Sequence, residues 1–267
     1  MKRQLKRVLG ALIYRTGMHR RLLRDRAVIA LFHRVDDRLR GNPITCTTGE
    51  FRAFCAFFSR YFTVVSLGQL LDKLDRGEHV GGHLVITFDD GYKDNTRAAA
   101  ELERWALPAC FFVATNFIES NHVPWWDAER SIASEWMSWD DVRRLLDNGF
   151  EIGSHTMNHV DLGKVDGDEA KREIVQSAER LRAELGTDVP FFSYPYGRPW
   201  NVTAANRERV RRAGYRCCLS AHGGTVRPPV NMFELKREPV SAWHISPYQF
   251  GFEVLLREFR PTYPSAV

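Results

Sequence analysis

The residue types best suited to chemistry fall in three short segments of this sequence. Thr87-Phe88-Asp89-Asp90-Gly91, Ser154-His155-Thr156-Met157-Asn158-His159 and Tyr194-Pro195-Tyr196-Gly197 each follow an apolar, strand-like run. Asp89 and Asp90 are adjacent, and two carboxylates in one tight site resist ionising together. A bound cation removes that penalty, leaving one carboxylate to ligate and the other to act as a base. His155 and His159 are four apart, the spacing at which a helical turn brings both imidazoles to one side. Two His and one Asp make three protein ligands and leave a coordination position for water, the arrangement of a catalytic metal rather than a closed structural one. Asp-Gly is also ordinary turn chemistry, and a lone histidine pair is commonly a surface or capping feature. The coincidence of both motifs at strand ends favours the metal reading.

The elements that must position these residues alternate from residue 27 onward. Strand-like runs occur at Ala27–His33, Phe62–Ser66, Leu84–Phe88, Cys110–Ala114, Phe150–Ser154, Phe191–Tyr194, Arg216–Ser220 and Leu235–Val240. Helical patterns lie at Thr48–Arg60, Leu67–Arg76, Tyr92–Trp105, Trp139–Asn148, Asp168–Leu185, Val202–Ala213 and Pro247–Arg257, and Ser138 with Asp141 predicts a capping box. This alternation specifies βαβ units and a mostly parallel sheet. Seven or eight units in one domain fit an α/β barrel, whose functional side chains gather at the C-terminal ends of the strands. No internal repeat or linker divides residues 27–267, which read as one domain behind a basic helical extension, residues 1–26.

Composition excludes several classes. With 267 residues, 44% hydrophobic and 27% charged, and a mean hydropathy of −0.35, the chain lies in the globular range. No apolar run approaches the ~20 residues that cross a bilayer. The net charge of +5 is unevenly placed: residues 1–26 hold nine Lys/Arg and one acid, a net of +8, so residues 27–267 carry −3. A mildly acidic body without a basic stripe predicts no nucleic-acid partner. Five cysteines without C-x-x-C spacing suit free thiols, and Val8–Tyr14 lacks a cleavage site behind it; both predict a cytoplasmic protein. Leu5, Val8, Leu9, Leu12 and Ile13 form one apolar face of the basic helix. That face predicts either packing on the domain or contact with an anionic membrane.

The motifs Thr-Phe-Asp-Asp-Gly-Tyr at 87–92 and Ser-His-Thr-Met-Asn-His at 154–159 resemble the first two motifs of the NodB-homology polysaccharide deacetylases, carbohydrate esterase family four. The resemblance covers about residues 27–240. It implies a distorted, seven-stranded (β/α) barrel and a divalent metal, usually zinc, and removal of N-acetyl, less often O-acetyl, groups from sugars. Matched residue by residue, it makes Asp89 the general base and Asp90, His155 and His159 the metal ligands. Tyr196, in the segment similar to the third motif, would present its backbone N–H to the oxyanion. Zinc suits the ligand set, and Co2+, Ni2+ or Mn2+ can also occupy a His2Asp site.

Two departures from the family pattern carry expectations of their own. The late Leu-x-His motif is missing, and Leu31-Phe32-His33-Arg34-Val35 is similar to the Tyr-His-x-Val signature of permuted, exopolysaccharide-acting members. That likeness makes His33 the acid. Ser193 stands where the family often has an Arg that orients the base, and Arg237, at the end of the last strand, could reach the same carboxylate. Aromatic faces stack on pyranose rings, so Trp125 and Trp126 are candidate substrate contacts, with Tyr92 and Pro195 beside them. These readings combine into a metal-dependent sugar deacetylase acting on an acetylated saccharide of envelope or exopolysaccharide synthesis. An O-acetyl esterase and a non-catalytic carbohydrate-binding relative are the alternatives.

Overall fold

The computed structural model describes residues 2–257. Its strands are β1 Val28–Phe32, β2 Arg34–Val35, β3 Thr45–Cys46, β4 Thr63–Val64, β5 His83–Phe88, β6 Cys110–Val113, β7 Glu151–Ser154, β8 Phe191–Ser193, β9 Cys217–Leu219 and β10 Glu238–Pro239. The helices are α1 Lys2–Arg15, α2 Met18–Leu22, α3 Thr48–Tyr61, α4 Leu67–Asp75, α5 Asn95–Arg104, α6 Trp125–Ala128, α7 Trp139–Asp147, α8 Gly167–Leu185, α9 Ala204–Arg212 and α10 Pro247–Arg257.

Seven parallel strands run in the order β10-β1-β5-β6-β7-β8-β9, with β4 added beside β5. The final segment serves both edges. Glu238 and Pro239 pair with Ala30 and Leu31 of β1, while the Leu235 amide and carbonyl bond to Cys218 and Ser220 at β9. The sheet therefore curls into the expected NodB-like (β/α) barrel. β2 and β3 form a separate two-stranded ribbon that sequence periodicity did not announce, being only two residues long on each side.

Alternation along the strands builds two cores, because successive side chains point to opposite faces. Val28, Ala30 and Phe32 of β1 pack outward against Phe51, Phe54 and Phe58 of α3. Ile29, Val85, Phe112 and Leu219 fill the interior, closed below by Leu67, Leu70 and Leu71 of α4. Gly153 makes room there: a Cβ on it would lie 2.2 Å from the Phe112 ring. Three helices begin with reciprocal capping boxes, Thr47/Glu50, Ser66/Gln69 and the predicted Ser138/Asp141. All five cysteines are buried and free.

Of the apolar face of the extension, expected to meet either the domain or a membrane, Ile13 packs against the core and the other four residues do not. α1 docks on α10 through Gly10 and Tyr14, both buried, and through a Lys6–Glu253 ion pair of 2.8 Å. Gly10 allows the approach, since a Cβ there would sit 2.0 Å from the Tyr248 carbonyl oxygen. Tyr14 packs against Phe57 and Tyr61. Leu5, Val8, Leu9 and Leu12 are on the other side, exposed.

Candidate active site

The barrel brings together the ends of β1, β5, β7, β8 and β10. Asp89 and Asp90 follow β5, His155 and His159 follow β7, Ser193 ends β8, His33 follows β1, and Arg237 precedes β10. Asp89, Asp90, His155, His159, Ser193 and Arg237 are all buried.

Asp90, His155 and His159 face one another, their ligand atoms all within 4.8 Å. Asp90 Oδ1 is 3.4 Å from His155 Nε2 and 3.3 Å from His159 Nε2, and it accepts no hydrogen bond. A buried carboxylate oxygen orphaned between two imidazole nitrogens needs a positive partner. The donor set, two N and one O, fits a divalent cation such as zinc. The Ser193 carbonyl lies 2.8 Å from His155 Nδ1, which makes Nδ1 the protonated nitrogen and leaves the Nε2 lone pair facing Asp90.

The two histidines do not converge through a helical turn, as their spacing suggested. Residues 155–160 form an irregular loop, with Thr156 at φ +66° and His159 at φ +55°. Asp90 at φ +79° and Tyr196 at φ +61° share this left-handed conformation, which costs non-glycine residues energy and concentrates at functional sites. Glu173 of α8 holds the loop by accepting from the Met157 and Asn158 amides, each at 2.9 Å, and from Asn158 Nδ2 at 2.6 Å. Sequence reasoning passed over Glu173. The available signal was a charge on the buried face of α8, beside Ala170, Ile174, Ser177 and Leu181.

Asp89 is gripped by Arg237. The guanidinium donates from Nη1 to Oδ1 at 2.7 Å and from Nη2 to Oδ2 at 2.6 Å, a bidentate fork. Ser193 Oγ donates to Asp89 Oδ2 at 3.1 Å and accepts from Arg237 Nη2 at 2.6 Å. Arg237 is fixed in turn by the Ser220 carbonyl at 2.8 Å and Thr87 Oγ1 at 3.3 Å. Ser193 and Thr87 are thus site residues that the sequence reading did not assign. Burial would raise the Asp89 pKa, but Arg237 and His155 outweigh it and hold the carboxyl below its usual range. Burial likewise opposes the Asp90 anion, and His155 and His159 pull it well below that range. His155 is raised, because Asp89 and Asp90 overcome its desolvation.

His33 feels the same charges. Burial lowers its pKa, while Asp90 and then Asp89 oppose the shift, which places the ring in this electrostatic site. Its Nδ1 has no partner, and its carbonyl accepts from Asn95 Nδ2 at 2.7 Å. The Tyr196 and His159 ring centroids are 4.9 Å apart, and the Tyr196 backbone N–H donates to no group among the described residues.

The aromatic candidates divide. Trp125 is 57% exposed and, with Tyr196, Lys164, Arg198 and Trp200, lines an open groove of about 350 Å3. Trp126 is half-buried, its ring 4.9 Å from that of His159. Tyr92 is a correction: it has no accessible surface. Its ring is stacked on Trp136 at 4.5 Å and capped by Arg34 at 4.1 Å, and its hydroxyl donates to Asp127 at 3.2 Å. Arg34 also pairs with Asp94 and Asp127 in this buried network, so Tyr92 supports the rim and offers no face to a sugar. Pro195 is likewise buried, and its carbonyl accepts from Gly197 at 2.7 Å to shape the turn that presents Tyr196.

The comparisons with known proteins agree with this geometry. Residues 76–218 match the family described as polysaccharide deacetylase. YxkH of Bacillus subtilis, named as a polysaccharide deacetylase, is 24% identical over 159 residues, which are 59% of this chain and 51% of that protein. The chain thus spans about half the length of this curated relative. The deacetylase PplD of Streptococcus pyogenes, solved in complex with acetate, superposes with a TM-score of 0.70 at 19% identity, covering 89% of this chain and 100% of that one. IcaB from Ammonifex degensii gives 0.67 at 22% identity, covering 85% and 97%. At such identities the superpositions speak for the fold alone. With more than half of its residues matched by the family, the chain belongs to the polysaccharide deacetylases.

Proposed function

We propose that this chain is a metal-dependent hydrolase that removes N-acetyl groups from an acetamido sugar or saccharide of envelope or exopolysaccharide synthesis. One observation carries the reading: a carboxylate kept anionic by a buried Arg fork stands beside an unpartnered Asp-His-His ligand set. Asp90, His155 and His159 would hold the cation, zinc in first place. Bound there, it would supply Lewis acidity toward the acetyl carbonyl. Asp89 accepts the proton of the attacking water, and Arg237 and Ser193 keep the carboxylate ionised and aimed. The Tyr196 N–H donates to the oxygen that gains negative charge, a stabilisation of the transition state rather than of the bound amide. His33 delivers a proton to the departing nitrogen. That role needs the protonated ring; burial lowers the His33 pKa and opposes it, while Asp90 and Asp89 favour the charged form.

The test is simultaneous measurement of acetate and new primary amine from a panel of acetamido oligosaccharides, O-acetylated ones included, with and without chelator. Equimolar acetate and amine, lost on chelation and restored by Zn2+, is the expected result. Acetate without amine would move the reading to an O-acetyl ester, and release that persists after chelation would remove the metal from the reaction.

His33→Ala separates the acid from the rest of the site. Amide turnover should fall by about 10^2–10^4, the usual contribution of a positioned proton donor. Hydrolysis of an aryl acetate, whose leaving group needs no proton, should fall far less, and bound metal should be retained. Equal losses on both substrates would assign His33 a structural part instead.

A further inference from the structure

Of the five residues that periodicity marks as the apolar face of α1, the fold leaves four uncovered, while Ile13 packs against the core. Leu5, Val8 and Leu12 are each 59% exposed and Leu9 36%. Their spacing of three, one and three residues makes a continuous ridge along the helix. The opposite face does the docking, through Lys6, Gly10 and Tyr14. The helix is therefore held in place by one side while presenting leucines and a valine to solvent on the other. An unfixed amphipathic helix would instead turn its apolar stripe inward, so this orientation calls for an occupant.

The charge beside the ridge says which occupant. Lys2, Arg3, Arg7 and Arg15 of α1 and Arg20, Arg21 and Arg24 just after it are exposed. Residues 1–26 carry a net +8 against −3 for the remainder. Trp243, half exposed, lies beside the same helix with its ring 4.7 Å from the Arg3 guanidinium. Aliphatic side chains flanked by lysine and arginine, with an indole nearby, match the layering of an anionic bilayer surface. There, headgroup charge lies above the acyl boundary, and indole rings favour the level between them. A folded partner or a second copy of this chain would have to bring both an apolar groove and a dense negative charge, and a body of charge −3 does not supply the latter.

We infer that α1 is a surface-docking device which seats the barrel on an anionic lipid bilayer, its leucine ridge entering the headgroup region and its basic residues meeting lipid phosphates. Four aliphatic side chains with a cluster of cations amount to a weak double anchor, so the binding is reversible and salt-sensitive. The inference does not depend on the hydrolytic reading, because it uses no residue of the metal site.

Co-sedimentation of the full chain with phosphatidylcholine vesicles containing phosphatidylglycerol, against pure phosphatidylcholine, reads it directly. Partitioning should be at least about tenfold stronger on the anionic vesicles and should collapse as salt shortens the Debye length from ~10 Å to ~3 Å. Val8→Ser/Leu12→Ser should lower anionic-vesicle partitioning by about tenfold or more, from the loss of two buried aliphatic side chains. Its melting temperature should match that of the parent, because both positions are already in solvent. Lys2→Glu/Arg7→Glu should produce a comparable loss by removing the charge and leaving the ridge intact. Equal binding to neutral vesicles, no binding at low salt, or binding that survives both double variants would overturn the inference. So would a lipid-free dimer that Val8→Ser/Leu12→Ser dissociates, which would assign the ridge to a second copy of the chain.

Discussion

Asp89→Asn should reduce kcat by about 10^2–10^4, the range expected when a positioned general base is lost. Asparagine preserves the shape of the side chain, but it can neither take a proton nor form an ion pair. Arg237, fully buried, would then face a neutral amide across both of its short contacts. The variant should keep its metal, because Asp90, His155 and His159 are untouched, and elemental analysis beside the kinetics makes the distinction. Loss of the metal together with activity would mean that Asp89 helps to ligate. Wild-type kcat in a metal-replete variant would remove Asp89 from the chemistry.

Arg237→Met is expected to act on stability and catalysis together. Removing one partner of a buried ion pair leaves the other charge uncompensated, at a cost of about 3–5 kcal/mol. For a domain of this size that corresponds to a fall in Tm on the order of 10 °C. The direction of the pH effect follows from the forces on Asp89. Burial raises its pKa and Arg237 lowers it, so without the guanidinium the pKa rises. With the ionised form as the competent one in the proposed reaction, the acidic limb of the kcat/KM profile should move to higher pH. Stability should respond in the same sense. In the parent, the pair's contribution is present above the ordinary carboxylate pKa and is lost as pH falls through the depressed folded value. In Arg237→Met that stabilisation is already missing at neutral pH. Arg237→Lys distinguishes positioning from packing: it restores charge without the fork, so Tm should recover further than kcat. An unshifted acidic limb in Arg237→Met would show that the arginine only fills space.

Much of this site is legible in the sequence because its chemistry resides in residue types. Asp89, Asp90, His155 and His159 are conspicuous at strand ends, and the alternation of strands and helices already implies a barrel rim. Arg237 could be nominated because closure makes the first and last strands neighbours. What the sequence concealed has physical reasons. Thr156 and His159 adopt a left-handed backbone without being glycine, so nothing in their identity warned that a loop would replace the helical turn. Tyr92 and Pro195 flank the motifs, but their burial depends on partners scattered along the chain. Arg34, Asp127 and Trp136 reach Tyr92 from three different segments. Ser193 looked like the loss of an arginine. Its hydroxyl is in fact the hinge between Asp89 and the arginine that arrives from elsewhere. The face on which α1 docks escaped notice because periodicity weighs leucines and valines. The contact is made by Gly10, through the side chain it lacks, and by Tyr14.

The position of Arg237 in the closing segment also sets a clock. It lies 78 residues after His159, the last of the site's carboxylate and imidazole groups, and at ~5–20 residues per second a ribosome needs roughly 4–16 s to cover that distance. Throughout that interval the nascent chain already contains Asp89, Asp90, His155 and His159, yet no Arg237 guanidinium to pair with Asp89. The segment that carries the fork is the one in which Leu235 bonds to β9 and Glu238 pairs with β1, the contacts that close the sheet. Fork formation and sheet closure thus share one segment, and a chain that stops short of residue 237 holds Asp89 without the guanidinium that pairs with it.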